Sequence, residues 1–430
     1  MEEKNTAIKR FTLRLNGCYA LIHGSYWMLY GVLCSFSSLL LLSRGFSNSE
    51  IGLMLALSNL AAVLVQPFLA DLADKGGRFG IFRQMRIMAA ACMLLCAGLL
   101  ILRSRSMFLA VVFCLAFAVM MVLQPFANAV GGRLEETGSH INFGVCRSVG
   151  SLTYAVLCAV LGRLAEDNGT WVLPAAGELV LAAVIASVVI TERTKNAAMA
   201  AKAASEEAGD PGAQGSAAAA QEPERAIGLG EFARRHRFFI IASIGTMGLY
   251  FSNSILNTYM AQIVMNVGGD ASNLGNIFFI LAFVEIPTMV LFDRLARRFR
   301  CGPMLIVAAF AFAAKMALCL IAKNVTMLFI AQFMQPFSFA LFLPAMVRFI
   351  DDSMEKGEAV KGHTVFTAMT MVGGIFASVL GGIVLDASGA KALLAIGTAV
   401  TALGGLIICL TIGKAEKEGR DARWNSSTRY

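Results

Sequence analysis

Twelve stretches of this sequence stay apolar long enough to cross a bilayer. At 1.5 Å of rise per residue, about 20 helical residues span roughly 30 Å of hydrocarbon. The stretches begin near Asn16, Ile51, Met85, Met107, Phe143, Trp171, Phe238, Asn273, Pro303, Thr326, His363 and Ala392. No water inside hydrocarbon can satisfy a backbone N–H or C=O, so each stretch must close its own hydrogen bonds as a helix. Of the 430 residues, 57% are hydrophobic and 15% charged, and the mean hydropathy is +0.68. Soluble domains carry about 25% charged residues. That difference excludes a cytosolic enzyme, a secreted disulfide protein and a nucleic-acid binder. The first run follows MEEKNTAIKRFTLRLNG, which holds acids and no small-residue cleavage site, and so reads as a retained helix. The prediction is an all-α polytopic membrane protein.

The basic residues orient it. Of 36 Lys and Arg, 28 fall on the N-terminus, the even-to-odd loops and the C-terminus, and 6 on the opposite loops; Arg147 and Lys315 lie within spans. Basic residues stay on the cytoplasmic side, so both termini are placed in the cytoplasm and the chain in the cytoplasmic (inner) membrane. The net charge of +8 is thereby topogenic and requires no nucleic acid.

The longest hydrophilic stretch, 194–235, is rich in Ala, Gly, Ser and Glu, and reads as a cytoplasmic linker with at most some helix. It separates an N-terminal six-helix bundle at 1–193 from a C-terminal one at 236–413, with a tail at 414–430. The halves repeat each other. Gln66-Pro67 precedes Asp74-Lys75 by eight residues, and Glu285-Ile286-Pro287 precedes Asp293-Arg294 by eight, at an offset of 219. Val149-Gly150-Ser151 matches Val372-Gly373-Gly374 at an offset of 223. A repeat of half the chain implies two pseudo-symmetric bundles that rock about a central pathway. The ten Cys lie mostly in apolar spans without metal-ligand spacing, and read as unpaired small hydrophobes. No metal or cofactor site is expected.

Three blocks carry a resemblance. Gln66-Pro-Phe-Leu-Ala-Asp-Leu-Ala-Asp74-Lys75-Gly-Gly-Arg78 is similar to the signature loop of the major facilitator superfamily, with Ala70 where a Gly is usual. Phe143-Gly144-Val-Cys-Arg147-Ser-Val-Gly150-Ser151 resembles the fifth helix of the branch holding lactose, nucleoside and phenylpropionate permeases. Glu285 with Asp293-Arg294 resembles that branch's intramembrane Glu on helix 8. The resemblance implies an alternating-access transporter, commonly proton-coupled, monomeric by the default of the fold.

Charges within spans are costly, so each is a functional hypothesis. Arg147 can hold a carboxylate or hydroxyls bidentately, or snorkel to the interface as an anchor. The family typically sets an acid on helix 4 beside this Arg; the matching residue here is Asn128, which points to pairing with an anionic solute. Glu285, near the middle of span 8, is the expected proton carrier, its alternative a structural hydrogen bond between helices. Lys315 on span 9 is the expected partner of Glu285, either as a switch or as a static pair that offsets the burial of both charges. Glu178, toward the outer end of span 6, reads as structural or interfacial. His23, the only mid-span histidine, can titrate near neutrality or serve as packing.

Neutral polar residues share helical faces: Tyr250, Asn253, Ser254 and Asn257 on span 7, Gln332 and Gln335 on span 10, Gln124 and Asn128 on span 4. They are the expected solute contacts, with helix-to-helix hydrogen bonding the alternative. The lactose permease carries Lys, His and Glu where this chain has Gln332, Gln335 and Ser338, which weakens a direct lactose assignment. Asp74, Lys75 and Arg78, with Asp293-Arg294 and Arg297-Arg298 as partners, can form gating contacts that break when the pathway opens inward. The leading reading is proton-coupled symport of a small polar organic solute: a sugar, nucleoside or aromatic acid. A membrane enzyme or a non-transporting sensor on a transporter body is the alternative, although no HExxH or GxSxG constellation is present.

Overall fold

The computed structural model describes residues 2–75, 80–207 and 228–427, and these are helical almost throughout, with no strand among them. α1 runs through Glu2–Tyr30, a π-helical turn at Gly31–Ser35 and a bent continuation Ser37–Ser43. There follow α2 (Asn48–Asp74), α3 (Ile81–Ile101), α4 (Met107–Glu135), α5 (Phe143–Asn168) and α6 (Val172–Glu207). α7 is Arg237–Thr258 with Met260–Asn266, α8 is Ala271–Arg298 and α9 is Cys301–Ile321. α10 consists of Val325–Gln332 and Phe339–Ser353. The last helix, Lys356–Ser427, breaks at Gly389, whose φ of 77° suits a residue without Cβ; α11 is 356–388 and α12 is 390–427.

Nine continuous helices among the described residues are long and apolar enough to cross a membrane, and the bent α1 makes a tenth. Dividing the last at Gly389 and joining the two parts of α10 gives an arrangement consistent with the twelve expected crossings. Helix starts follow local chemistry. Side chains of Ser106, Asn142, Asp270 and Asn324 each accept a hydrogen bond from the N–H three residues on, capping α4, α5, α8 and α10. α1 begins at Glu2, well before the expected Asn16, because nothing from Glu2 to Asn16 breaks a helix. The expected linker is helical at both ends, to Glu207 and again at Leu229–Arg235. Its residues 208–227 lie outside the described residues, as do Arg78 and residues 428–430.

The chain divides into two compact units: Met1–Leu40 with Leu57–Gln221, and Leu41–Ala56 with Glu222–Tyr430. In the first, α1 packs on α4, α5 and α6, and α3 on α4 and α6. In the second, α7 packs along α11 and α12, and α9 packs on α10. Phe232, fully buried, ties the short helix Leu229–Arg235 into the second unit beside Phe239, Phe312, Phe342 and Phe349. Each such ring contributes about 1.5–3 kcal/mol by burial. Arg235 bonds Glu355 at 3.0 Å and Glu358 at 2.6 Å, and His236 meets Glu358 at 2.9 Å. Leu94, Ile101, Phe310 and Leu403 face outward, which suits hydrocarbon.

Small residues set how closely α7 and α12 approach. A Cβ at Gly245 would lie 2.7 Å from the Gly404 carbonyl oxygen, and one at Gly404 would lie 2.6 Å from that of Gly245. Backbone cannot yield as a flexible side chain does, so Gly404→Val is expected to cost about 1–3 kcal/mol. Thermal unfolding in detergent checks this: an unchanged midpoint would mean the two helices are free to separate.

Candidate solute and ion-coupling sites

The second unit holds a chain of three buried polar side chains. Lys315 on α9 and Glu285 on α8 are 2% and 7% exposed. The Lys315 ammonium donates to Gln335 Oε1 at 2.6 Å, and Gln335 Nε2 donates to Glu285 Oε2 at 3.3 Å. The two charges, the expected partners, are joined through this amide. Pro336 explains how the amide gets there. It lacks an N–H and disfavours helical backbone at Gln335, so α10 opens into turns at 333–338. Irregular backbone at membrane depth persists only where protein or water covers it. Ser338 Oγ donates to the Gln335 carbonyl at 3.4 Å. Gln332, fully buried, donates to the Leu328 carbonyl at 3.0 Å, while its Oε1 has no partner among the described residues.

On α7 of the same unit, Tyr250 stacks edge-on against Phe339, Phe342 and Phe366 at 6.1–6.4 Å. Asn253, Ser254 and Asn257 are half-buried on the shared face that their spacing predicts. Asp293 and Arg294 are exposed near the end of α8.

The first unit builds a different site. The Arg147 guanidinium carbon sits 3.7 Å from the ring centroid of Trp27, and Nη1 donates to Ser151 Oγ at 2.9 Å. Trp27 is braced by Tyr26 and Tyr30, with centroids at 5.5 and 5.0 Å. His23, one turn before Trp27, is fully buried against Tyr19 and Phe143, at 4.6 and 5.5 Å. Neither of its ring nitrogens, nor the Tyr26 hydroxyl, has a hydrogen-bond partner among the described residues. Tyr154 and Ser35 share a hydrogen bond at 2.7 Å.

Gln124 is half-buried and Asn128 exposed on α4, where the Asn128 carbonyl accepts from Tyr19 at 2.9 Å. Glu178 is half-buried with one carboxylate oxygen unpartnered among the described residues. Lys75 pairs at 2.8 Å with Asp71 on its own helix. Sequence reasoning overlooked Trp27. Its spacing from His23 and Tyr30, four and three residues, was the available signal. All ten cysteines are free, and no group of three or more metal-ligating side chains occurs among the described residues.

A chain with these helices, and with charges buried at membrane depth, has the architecture of a polytopic transporter. The MFS_1 like family matches residues 14–395, and the chain belongs to it, within the major facilitator transporters. Among solved structures, a point mutant of the nucleoside transporter NupG superposes with a TM-score of 0.73 at 15% identity, covering 93% of this chain and 99% of that one. NupG without the mutation gives 0.66 at 17% identity, covering 94% and 98%. A bacterial homolog of the human lysosomal transporter Spinster, inward-facing and unoccupied, gives 0.58 at 15%, covering 95% and 97%. No curated protein matches the chain by sequence.

The buried chain makes a stability test possible. Lys315→Met strands Glu285 and Gln335 without their cation, and is expected to cost about 3–5 kcal/mol. Adding Glu285→Gln should restore more than half of that loss, since the remaining groups are neutral. Unfolding of single and double variants in detergent decides; additive losses would show that the two charges do not sense each other.

Proposed function

We propose that the protein is a secondary active transporter, moving a small polar organic solute across the cytoplasmic membrane by alternating access in proton-coupled symport. The observation that carries this reading is the Glu285–Gln335–Lys315 chain, an acid and a base buried at membrane depth and joined by one amide. Such charges are expensive to bury, and an acid there changes its interactions sharply when it takes up a proton. Glu285 is assigned as the proton carrier and Lys315 as its responsive partner. Arg147, His23, Gln124, Asn128, Tyr250, Asn253, Asn257, Gln332 and Gln335 are assigned to the solute. Asp74, Lys75, Arg78, Asp293 and Arg294 are assigned to gating, in a monomer with both termini cytoplasmic. Sugars, nucleosides and aromatic acids are the solute classes; nucleosides come first because two structural neighbours carry that description.

Proteoliposomes under an imposed pH gradient test the reading. Uptake of labelled uridine, lactose or phenylpropionate should accumulate above equilibrium and collapse with a protonophore. Glu285→Gln should abolish accumulation yet spare exchange of solute across the membrane; equal survival of both activities would remove Glu285 as the carrier. Arg147→Lys should weaken solute binding about tenfold, because a point charge cannot reproduce the planar fork. Binding at the wild-type level would return Arg147 to the role of an anchor.

A further inference from the structure

We propose that Trp27 is a positioning residue for Arg147 and that Gly150 is the socket admitting its indole. The proposal rests on the reading of Arg147 as a solute ligand. α1 crosses α5 where His23 and Trp27 face Gly150. A Cβ at position 150 would lie 2.6 Å from Trp27 Cδ1 and 3.2 Å from the His23 carbonyl oxygen. No real side chain tolerates the first distance, so any residue but glycine displaces the indole. Arg147 stands three residues earlier on α5, and its guanidinium lies over the ring that the socket holds.

The guanidinium carbon lies over the Trp27 ring, and Ser151 Oγ takes one N–H. The indole is itself held by Tyr26 and Tyr30, so the platform is rigid. An arginine is a long, rotatable side chain whose ordering on binding costs affinity. A guanidinium already seated over a ring has lost part of that freedom before the solute arrives. The stack also supplies electrostatic attraction to the ring, strongest where water is excluded. Trp27 thus acts on the solute through Arg147.

Three variants separate positioning from general packing. Trp27→Leu removes the π face and is expected to raise KM about tenfold with a smaller effect on maximal rate. Trp27→Phe keeps a face and should recover most of that loss. Gly150→Ala alters neither partner, yet should reproduce the Trp27→Leu defect and add nothing to it in the double variant. KM is read from uptake of labelled uridine, lactose and phenylpropionate.

A second measurement needs no solute. In Trp171→Phe/Trp424→Phe protein, Trp27 is the remaining tryptophan, and its emission should change with Arg147→Met and with Gly150→Ala. Unchanged emission in both would overturn the stack, and a Trp27→Leu protein with wild-type KM would overturn the positioning role. If the wild type transports none of the three solutes, the transport reading fails on them, and the emission result alone upholds or overturns the placement of Trp27.

Discussion

A lysine and a glutamate buried inside a membrane bundle set the terms for everything near them. Removing two ions from water costs more than their attraction returns unless hydrogen bonds complete their shells. In the second unit one amide side chain bonds both ions. Gln335 turns its carbonyl oxygen to the Lys315 ammonium and its N–H to the Glu285 carboxylate. An ammonium only donates and an ionised carboxylate only accepts, so the amide has one workable orientation. Its dipole lies along the line between the charges and strengthens both bonds. The break in α10 at Pro336 belongs to the same device, because a continuous helix would carry Gln335 on a different path. One amide thereby links side chains of α8, α9 and α10 beside the break in α10.

The repeat in the sequence reappears as a repeated crossing. Gly150 on α5 meets α1 at His23 and Trp27. Gly373 on α11 meets α7, where an added Cβ would lie 2.5 Å from the Met247 carbonyl oxygen and 3.1 Å from the Phe251 nitrogen. The first and fifth helices of each unit therefore approach through the glycine that the repeat aligns. Around this shared crossing the units diverge. The first sets a cation on an indole; the second sets an aromatic, Tyr250, among three phenylalanines and keeps its charges on α8 and α9. A duplicated scaffold holds the helices in place while the polar side chains differentiate.

Helix positions were legible because hydrocarbon enforces them: an apolar run near 20 residues has no alternative but to close its own hydrogen bonds. Glu285 and Lys315 were legible for the related reason that a charge amid such a run is conspicuous. What joined them was not. Gln335 could be read as a solute contact from its face on α10, yet nothing in its spacing disclosed that Pro336 would redirect it between two ions. Trp27 was hidden differently. An aromatic in an apolar span is unremarked, and its contacts with Arg147 and with Gly150 come from another helix, the glycine 123 residues away in sequence. Local pattern reports what a residue is; its contacts come from helices far off in the chain.

This bears on how a proton would be handled under the proposed function. Gln332, Gln335 and Ser338 do not titrate near neutrality. His23 lies against Tyr19 and Phe143 with no hydrogen bond from either nitrogen among the described residues. Under the proposed function the load would fall on Glu285. Protonation there removes the negative end of the chain, and the Gln335 N–H loses its charged acceptor while Lys315 keeps its bond to Oε1. The ammonium would then be buried without the carboxylate's charge nearby, a state less favourable than the paired one. Relief comes by drawing in water or a polar solute. Under the proposed function, the imbalance that a single neutralised carboxylate leaves behind would couple proton uptake to the opening of a polar path.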